Sequence, residues 1–218
     1  MPITILDRRL RFPHASLANS EGLVAIGGDL SVPRLLLAYR SGIFPWSADP
    51  LSWWSPDPRA IFEFDRLKVA RSLHKIIHQG VFDITWDQAF RRVVEGCAAP
   101  ADKRRTTWIS PMFIEAYVRL HEQGHAHSVE CWRQGELAGG IYGVAIGGFF
   151  AGESMFHRVS NASKVALFHL LEHLKTQGFA LFDIQMLTPI TEQLGGTLIP
   201  RDEYLRRLAL AVEKHCTF

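Results

Sequence analysis

The chain has 218 residues, 47% of them hydrophobic and 21% charged, with a net charge of +2 from 24 basic and 22 acidic side chains. That length suits one large domain, or a small one beside a medium one, and the composition excludes long disorder. So even a balance argues against a protein that grips long duplex nucleic acid. It leaves room for one that touches an RNA end through a local basic patch. No apolar run reaches the roughly 18 residues of a membrane span, and the N-terminus lacks the apolar core of a secretory signal. Cys97, Cys131 and Cys216 are odd in number and far apart. They fit free thiols of a reducing compartment, so a cytoplasmic protein without a membrane anchor is expected.

Residues 1–60 hold seven of the eleven prolines, together with Trp46, Trp53 and Trp54. One helix fits there, over Arg34–Arg40, with Ser31 as N-cap, Pro33 in the first turn and Gly42 as the stop. The stretch Gly42–Arg59 has no steady period and reads as an ordered aromatic loop, because tryptophans are too apolar to leave in water. A boundary is placed near residue 60, giving a small domain over 1–60 and a larger one over 61–218. In the larger one, Val69, Leu73, Ile76 and Ile77 form an apolar helical stripe, with Arg71, Lys75 and His78 on another face. Phe90, Val93, Val94 and Cys97 repeat that pattern, with Asp87 as the expected cap and Arg91 and Arg92 off the stripe. The basic run Lys103-Arg104-Arg105 follows.

A helix from Ser110 and Pro111 to Gly124 carries Phe113, Ala116, Tyr117 and Leu120 inward. Strands are expected over 127–132, 137–144 and 148–154, joined by glycine turns as an antiparallel meander. A helix over 161–177 and a strand over 179–185 complete an α+β pattern, a mostly antiparallel mixed sheet flanked by helices.

Three constellations carry chemistry. The first is GIFPW (42–46) with WWSPDPR (53–59), where proline stiffens a backbone bearing aromatic rings. Such rings suit a pocket wall or a nucleobase platform, and equally a small core closing over a loop. The second is Glu153 within GESMF (152–156), read as a strand's end before a helix. The third is Asp183-Ile184-Gln185. Residues two apart on a strand share a face, so Asp183 and Gln185 are expected to point together. A carboxylate among Phe179, Leu181, Phe182 and Ile184 needs a partner if buried. Asp183 therefore either serves chemistry or anchors a loop.

GIFPW, WWSPDPR, EGCA (95–98), Thr107-Trp108-Ile109, GHAHS (124–128), GGIYGVA (139–145), GESMF and Asp-Ile-Gln occur together and in order. In this the chain resembles the leucyl/phenylalanyl-tRNA–protein transferase family, from about Gly22 to Tyr204. The resemblance implies a small N-terminal domain and a C-terminal domain of the GNAT-like acyltransferase fold. It implies leucyl- or phenylalanyl-tRNA as donor, with methionyl-tRNA as a further one. The acceptors it implies are proteins with N-terminal Arg or Lys, which the transfer marks for degradation by the N-end rule. Asp183, Gln185 and Glu153 are the catalytic residues it points to, with Asp183 polarising and orienting the Gln185 amide. Trp46, Trp108, Ile141 and Phe150 would wall the donor's side chain. Ser154, Met155 and Thr188 would lie at the substrate. Family members often carry Met at the place of Ile141 and Asn at that of Thr188. RNA contact falls to Arg71, Lys75, His78, Arg91, Arg92, Lys103, Arg104 and Arg105. An aminoacyl ester is already activated, so neither metal nor cofactor is expected.

Two other enzymatic patterns fit the sequence less well. His121-Glu122-Gln123-Gly124-His125 matches the zinc-protease pattern HExxH, but both histidines must share a helical turn and Gly124 reads as the stop. A coenzyme A-dependent N-acetyltransferase wants a glycine-rich pyrophosphate loop before the long helix, and residues 153–161 contain no glycine. A plain RNA-binding module would leave Glu153, Asp183 and Gln185 without a purpose.

Overall fold

The structure is a computed structural model and describes residues 3–100 and 107–218. The chain begins with β1 (Thr4–Leu6) and β2 (Leu23–Gly27), a parallel pair. Helix α1 (Val32–Arg40) starts at Ser31 with Pro33 in its first turn, and Gly42 (φ +74°) turns the chain out. The Ser31 side chain makes no cap bond; its N–H donates to Asp29 Oδ1 instead. The aromatic stretch expected as a loop is a hairpin, β3 (Phe44–Ala48) and β4 (Leu51–Trp54), in a sheet of order β1-β2-β4-β3. Its tryptophans gave no alternating signal because both faces are covered, Trp53 being fully buried against Phe12.

The second sheet opens with β5 (Arg59–Phe62), followed by α2 (Arg71–His78), β6 (Asp83–Trp86) and α3 (Phe90–Ala98). Asp87 does not cap α3. It adopts φ +59° and accepts from His127 Nδ1 (2.7 Å) and the Ser128 N–H (2.8 Å), tying the chain to the next strand. Helix α4 (Pro111–Glu122) ends before Gly124 (φ +74°), as its sequence predicts. The meander follows as β7 (Ala126–Arg133), β8 (Glu136–Ile146) and β9 (Phe149–His157). Residues 152–156 thus lie inside β9 rather than at its end. Helix α5 (Ala162–Thr176) leads to β10 (Leu181–Gln185), α6 (Pro189–Gln193), β11 (Gly196–Ile199) and α7 (Arg201–Ala211).

Seven strands form this sheet in the order β11-β5-β10-β9-β8-β7-β6. Only β9 and β10 pair in parallel; the other ladders are antiparallel. The molecule is therefore an α+β fold with a mostly antiparallel mixed sheet flanked by helices. One face packs α2 and α5 through Leu73, Val165, Leu170 and Leu174. The other packs α3, α4 and α7 through Val93, Phe113, Tyr117 and Leu208, and that core continues into Leu35 and Trp53 of the first sheet. No helix among the described residues is long and apolar enough to cross a membrane.

Candidate active site

Both strands of the parallel pair are bulged at the residues singled out in the sequence. On β9, Ser154 pairs with Tyr142 and Gly152 with Gly143, so Glu153 is the extra residue of a bulge. Gly143 has to be glycine there: a Cβ would run into the Ala151 carbonyl and the Phe150 ring. On β10 the register slips between Asp183 and Gln185. Gln185 adopts φ +56°, and a three-residue turn closes as the Met186 N–H donates to the Ile184 carbonyl (2.6 Å). A left-handed glutamine in so tight a turn is an uncommon, strained conformation held by its surroundings. The bulge breaks the strand's alternation, yet both side chains engage partners of the α4 and α7 side, Asp183 through Tyr204 and Gln185 through Glu153 and Tyr117.

Asp183 is fully buried and fully engaged. Arg59 grips it bidentately, Nε to Oδ1 at 2.8 Å and Nη2 to Oδ2 at 2.6 Å, and the Tyr204 hydroxyl donates to Oδ2 at 2.9 Å. Arg59 also donates to the Gly42 carbonyl (3.2 Å) and lies between the Phe44 and Tyr204 rings, at 4.7 and 4.5 Å. Burial pulls the guanidinium pKa down, and the charge and hydrogen bond of Asp183, with Tyr204 and Glu153, together more than offset it, so the net shift is upward. One ion pair thus joins the first sheet, the second sheet and α7. Asp183 does not touch the Gln185 amide. Its Oδ1 accepts the Gln185 backbone N–H (2.9 Å) and so supports the left-handed turn.

Glu153 is what orients that amide. Gln185 Nε2 donates to Glu153 Oε1 at 3.0 Å, and the Tyr117 hydroxyl donates to Oε2 at 2.7 Å. The Tyr39 hydroxyl stands 2.7 Å behind that of Tyr117. A carboxylate only accepts, so the Gln185 NH₂ must face it and the amide carbonyl is turned away, free to accept. Burial pushes the Glu153 carboxyl up to about 7, with the tyrosine hydrogen bonds pulling the other way. Burial likewise raises both tyrosines well above their usual range, so they remain neutral donors. Tyr117 read as a core residue in the sequence, Tyr39 and Tyr204 carried no site signal, and Arg59 stood only as the last residue of the WWSPDPR motif. The one available clue was that a buried aspartate demands a cation.

The expected aromatic wall is divided between the two faces of the sheet. Trp46 and Trp108 are half-buried at the edge of the core that holds Tyr117, with Trp108 packing edge-on to Phe113 and Tyr117. Ile141 and Phe150 face α5. Phe150 is fully buried among Phe179, Phe182 and Phe218. Met155 pairs with Ile141 on that side, and Ser154 adjoins Glu153 on β9. The Thr188 hydroxyl is used in a reciprocal cap at the start of α6, accepting the Thr191 N–H while Thr191 Oγ1 accepts that of Thr188. The basic residues are divided as well. Arg71, Lys75 and His78 are exposed on α2, on the α5 face. Arg91 and Arg92 stand on α3, across the sheet, where Arg91 is paired bidentately with Glu115 (2.7 and 3.0 Å) and Arg92 covers Trp132. Lys103, Arg104 and Arg105 lie outside the described residues.

The HExxH pattern does not form a metal-binding turn. His121 is in α4, stacked on Phe90 and bonded through Nδ1 to the Ala126 carbonyl (2.8 Å), while His125 lies beyond the helix end.

A bulged carboxylate, the primary amide that donates to it and two buried hydroxyls thus stand together on this α+β frame. The chain belongs to the leucyl/phenylalanyl-tRNA protein transferase family, whose model matches residues 61–209, the family's N-terminal domain matching residues 28–57. It is 49% identical over 217 residues to the leucyl/phenylalanyl-tRNA–protein transferase of Desulforapulum autotrophicum, covering 98% of this chain and 95% of that one. It is 52% identical over 208 residues to that of Magnetococcus marinus, covering 92% and 88%. Two solved structures are similar at low identity. The L-PGS structure from Bacillus licheniformis has 13% identity and a TM-score of 0.43, over 74% of this chain and 54% of that one. A GCN5-related N-acetyltransferase from Kribbella flavida has 11% identity and a TM-score of 0.41, over 76% and 59%.

Proposed function

We propose that this protein transfers Leu, Phe or Met from its tRNA to the α-amine of proteins that begin with Arg or Lys. In the cytoplasm this would mark them for N-end rule degradation. The observation that carries the mechanism is the hydrogen bond from Gln185 Nε2 to Glu153. In the reaction, the acceptor nitrogen attacks the ester carbonyl carbon, a C–N bond forms, and the C–O bond to the ribose breaks. The nitrogen sheds one proton and the ribose oxygen gains one. The attacking α-amine has a pKa near 8, so positioning supplies much of the rate. The Gln185 carbonyl, held outward by Glu153, accepts a hydrogen bond from that amine. Ionised Glu153 favours a cationic acceptor terminus and keeps the amide from flipping. Asp183 acts one step back, as a positioning residue that supports the Gln185 turn.

The donor's side chain is received along β9. Trp46 and Trp108 wall it on the Tyr117 side, while Ile141, Met155 and Phe150 back the strand from the α5 face. Ser154 and Thr188 are proposed at the substrate's edge. Arg71, Lys75 and His78 offer the exposed basic surface for the tRNA body, with Arg91, Arg92, Lys103, Arg104 and Arg105 as further contacts. The division into domains 1–60 and 61–218 belongs to the same proposal. It is supported by a first sheet whose four strands all precede Arg59.

Incubation with labelled leucyl-tRNA and an Arg-starting protein, beside an acetyl-coenzyme A arm, tests the reading. Label at the acceptor N-terminus and no acetylation is the expected result. Acetylation without aminoacyl transfer would overturn it.

A further inference from the structure

A cleft of about 470 Å³ opens between α2, α5 and α6, apart from the Glu153–Gln185 cluster. Its floor is apolar, formed by Leu73 and Leu194, and its rim carries Lys68 and Lys164, with the Ser72 hydroxyl beside them. None of the residues lining it is acidic. The ion pairs of the described residues all engage other cations, so neither lysine is neutralised by one of them. Two unneutralised ammonium groups over an apolar floor suit an anion joined to a ring, and the volume is that of a small-ligand site.

The cleft's place in the fold narrows the ligand. Strand β9 carries Glu153 and runs on through Asn161, at the cleft, into α5; β10 carries Gln185 and runs on through α6 to Leu194, also at the cleft. The cleft therefore lies beyond the carboxyl ends of β9 and β10, the second sheet's parallel pair, the same end at which the site is built. Ligands of open sheets bind at that end. A nucleotide chain attached to an aminoacyl group near Glu153 would leave along this path.

We propose that the cleft binds a phosphodiester, with its adjoining nucleoside, of the single-stranded 3′ end of the donor RNA, through Lys68 and Lys164. The inference rests on the donor being an aminoacyl-tRNA. Ser72 offers a hydrogen bond to the same group, and the Leu73–Leu194 floor accepts a ribose or base face.

The test measures binding of a short single-stranded RNA ending in CCA to the full chain, by anisotropy, across a salt series. For single strands each phosphate contact contributes about 0.7 to the slope of log K against log salt. Removing two contacts with Lys68→Gln and Lys164→Gln should flatten the slope by about 1.4 and weaken binding about 25-fold at 0.1 M salt. Lys68→Arg with Lys164→Arg should keep the affinity. Lys175→Gln, at the far end of α5 where Lys175 pairs with Asp65, should also keep it. Ser72→Glu places a negative charge in the cleft on an exposed residue and should weaken binding without loss of fold. Unchanged slope and affinity in the double Gln variant would overturn the proposal. So would a cleft that loses inorganic phosphate binding while RNA binding stays intact. Transfer from leucyl-tRNA by the wild-type chain is scored separately, so failure of the cleft and failure of the donor assignment give different results.

Discussion

At the residue scale, Glu153 and Asp183 divide work that the sequence had assigned to one pair. Asp183 is held by Arg59, 124 residues away in sequence, and no spacing rule reaches that far. Replacing it with alanine leaves a buried guanidinium without its partner, a change that costs about 3–5 kcal/mol. For a chain of this size we expect a fall in melting temperature of roughly 6–20 °C, with transfer lost in parallel. Joint replacement, Arg59→Met with Asp183→Leu, should recover most of the stability and little of the transfer, because the Gln185 N–H loses its acceptor. Recovery of both would remove Asp183 from its positioning role. Glu153 shows the opposite behaviour. Burial raises its folded pKa to about 7, above the value of an unfolded glutamate. Between about pH 4.5 and 7 the unfolded chain has released this proton and the folded one retains it, so stability falls as pH rises across that window. Glu153→Gln removes the effect. Its melting temperature should gain on the wild type from pH 5 to pH 7 and then run level. Such a gain, bought with lost activity, is the signature of a residue kept for function.

The elements most legible in the sequence were those with a local signal. The meander β7–β9 was marked by alternation and glycine turns, and α4 by proline at its start and glycine at its stop. Strand β5 was not legible because all four of its residues are buried, which leaves no alternation to read. The β3–β4 hairpin failed for a related reason, its aromatics being covered on both faces. The bulges that place Glu153 and Gln185 are set by contacts across the sheet, so the sequence named both residues without their geometry. Packing between elements also makes predictions. A methyl at Gly96 on α3 would stand 2.5–2.7 Å from the Phe156 ring of β9. Gly96→Ala should therefore cost about 1–3 kcal/mol, read as a lower melting temperature. Phe150→Ala should cost about 3–5 kcal/mol, since the ring is fully buried. Trp108→Ala, at a half-buried position, is expected to weaken use of the donor with a smaller loss of stability. If the two variants exchange these effects, the donor's surroundings lie on the α5 side of β9.

For the whole molecule, the core that runs from Trp53 through Tyr117 to Leu208 makes the site depend on both sheets. Arg59 reaches Gly42, Tyr204 reaches Asp183, and Tyr39 of α1 stands behind Tyr117 of α4. The first sheet and α7 are thus part of the machinery that fixes Gln185. The most direct test is the pH dependence of single-turnover transfer from leucyl-tRNA to an Arg-starting protein, in the wild type and in Glu153→Gln. Wild-type rate should rise through two steps, one near pH 7 from Glu153 and one near pH 8 from the acceptor amine. The variant should be slower and should keep only the step near pH 8, because the amide that replaces the carboxylate no longer titrates or dictates which way Gln185 faces. A variant with the wild-type profile and rate would show that Glu153 does not hold the amide for catalysis.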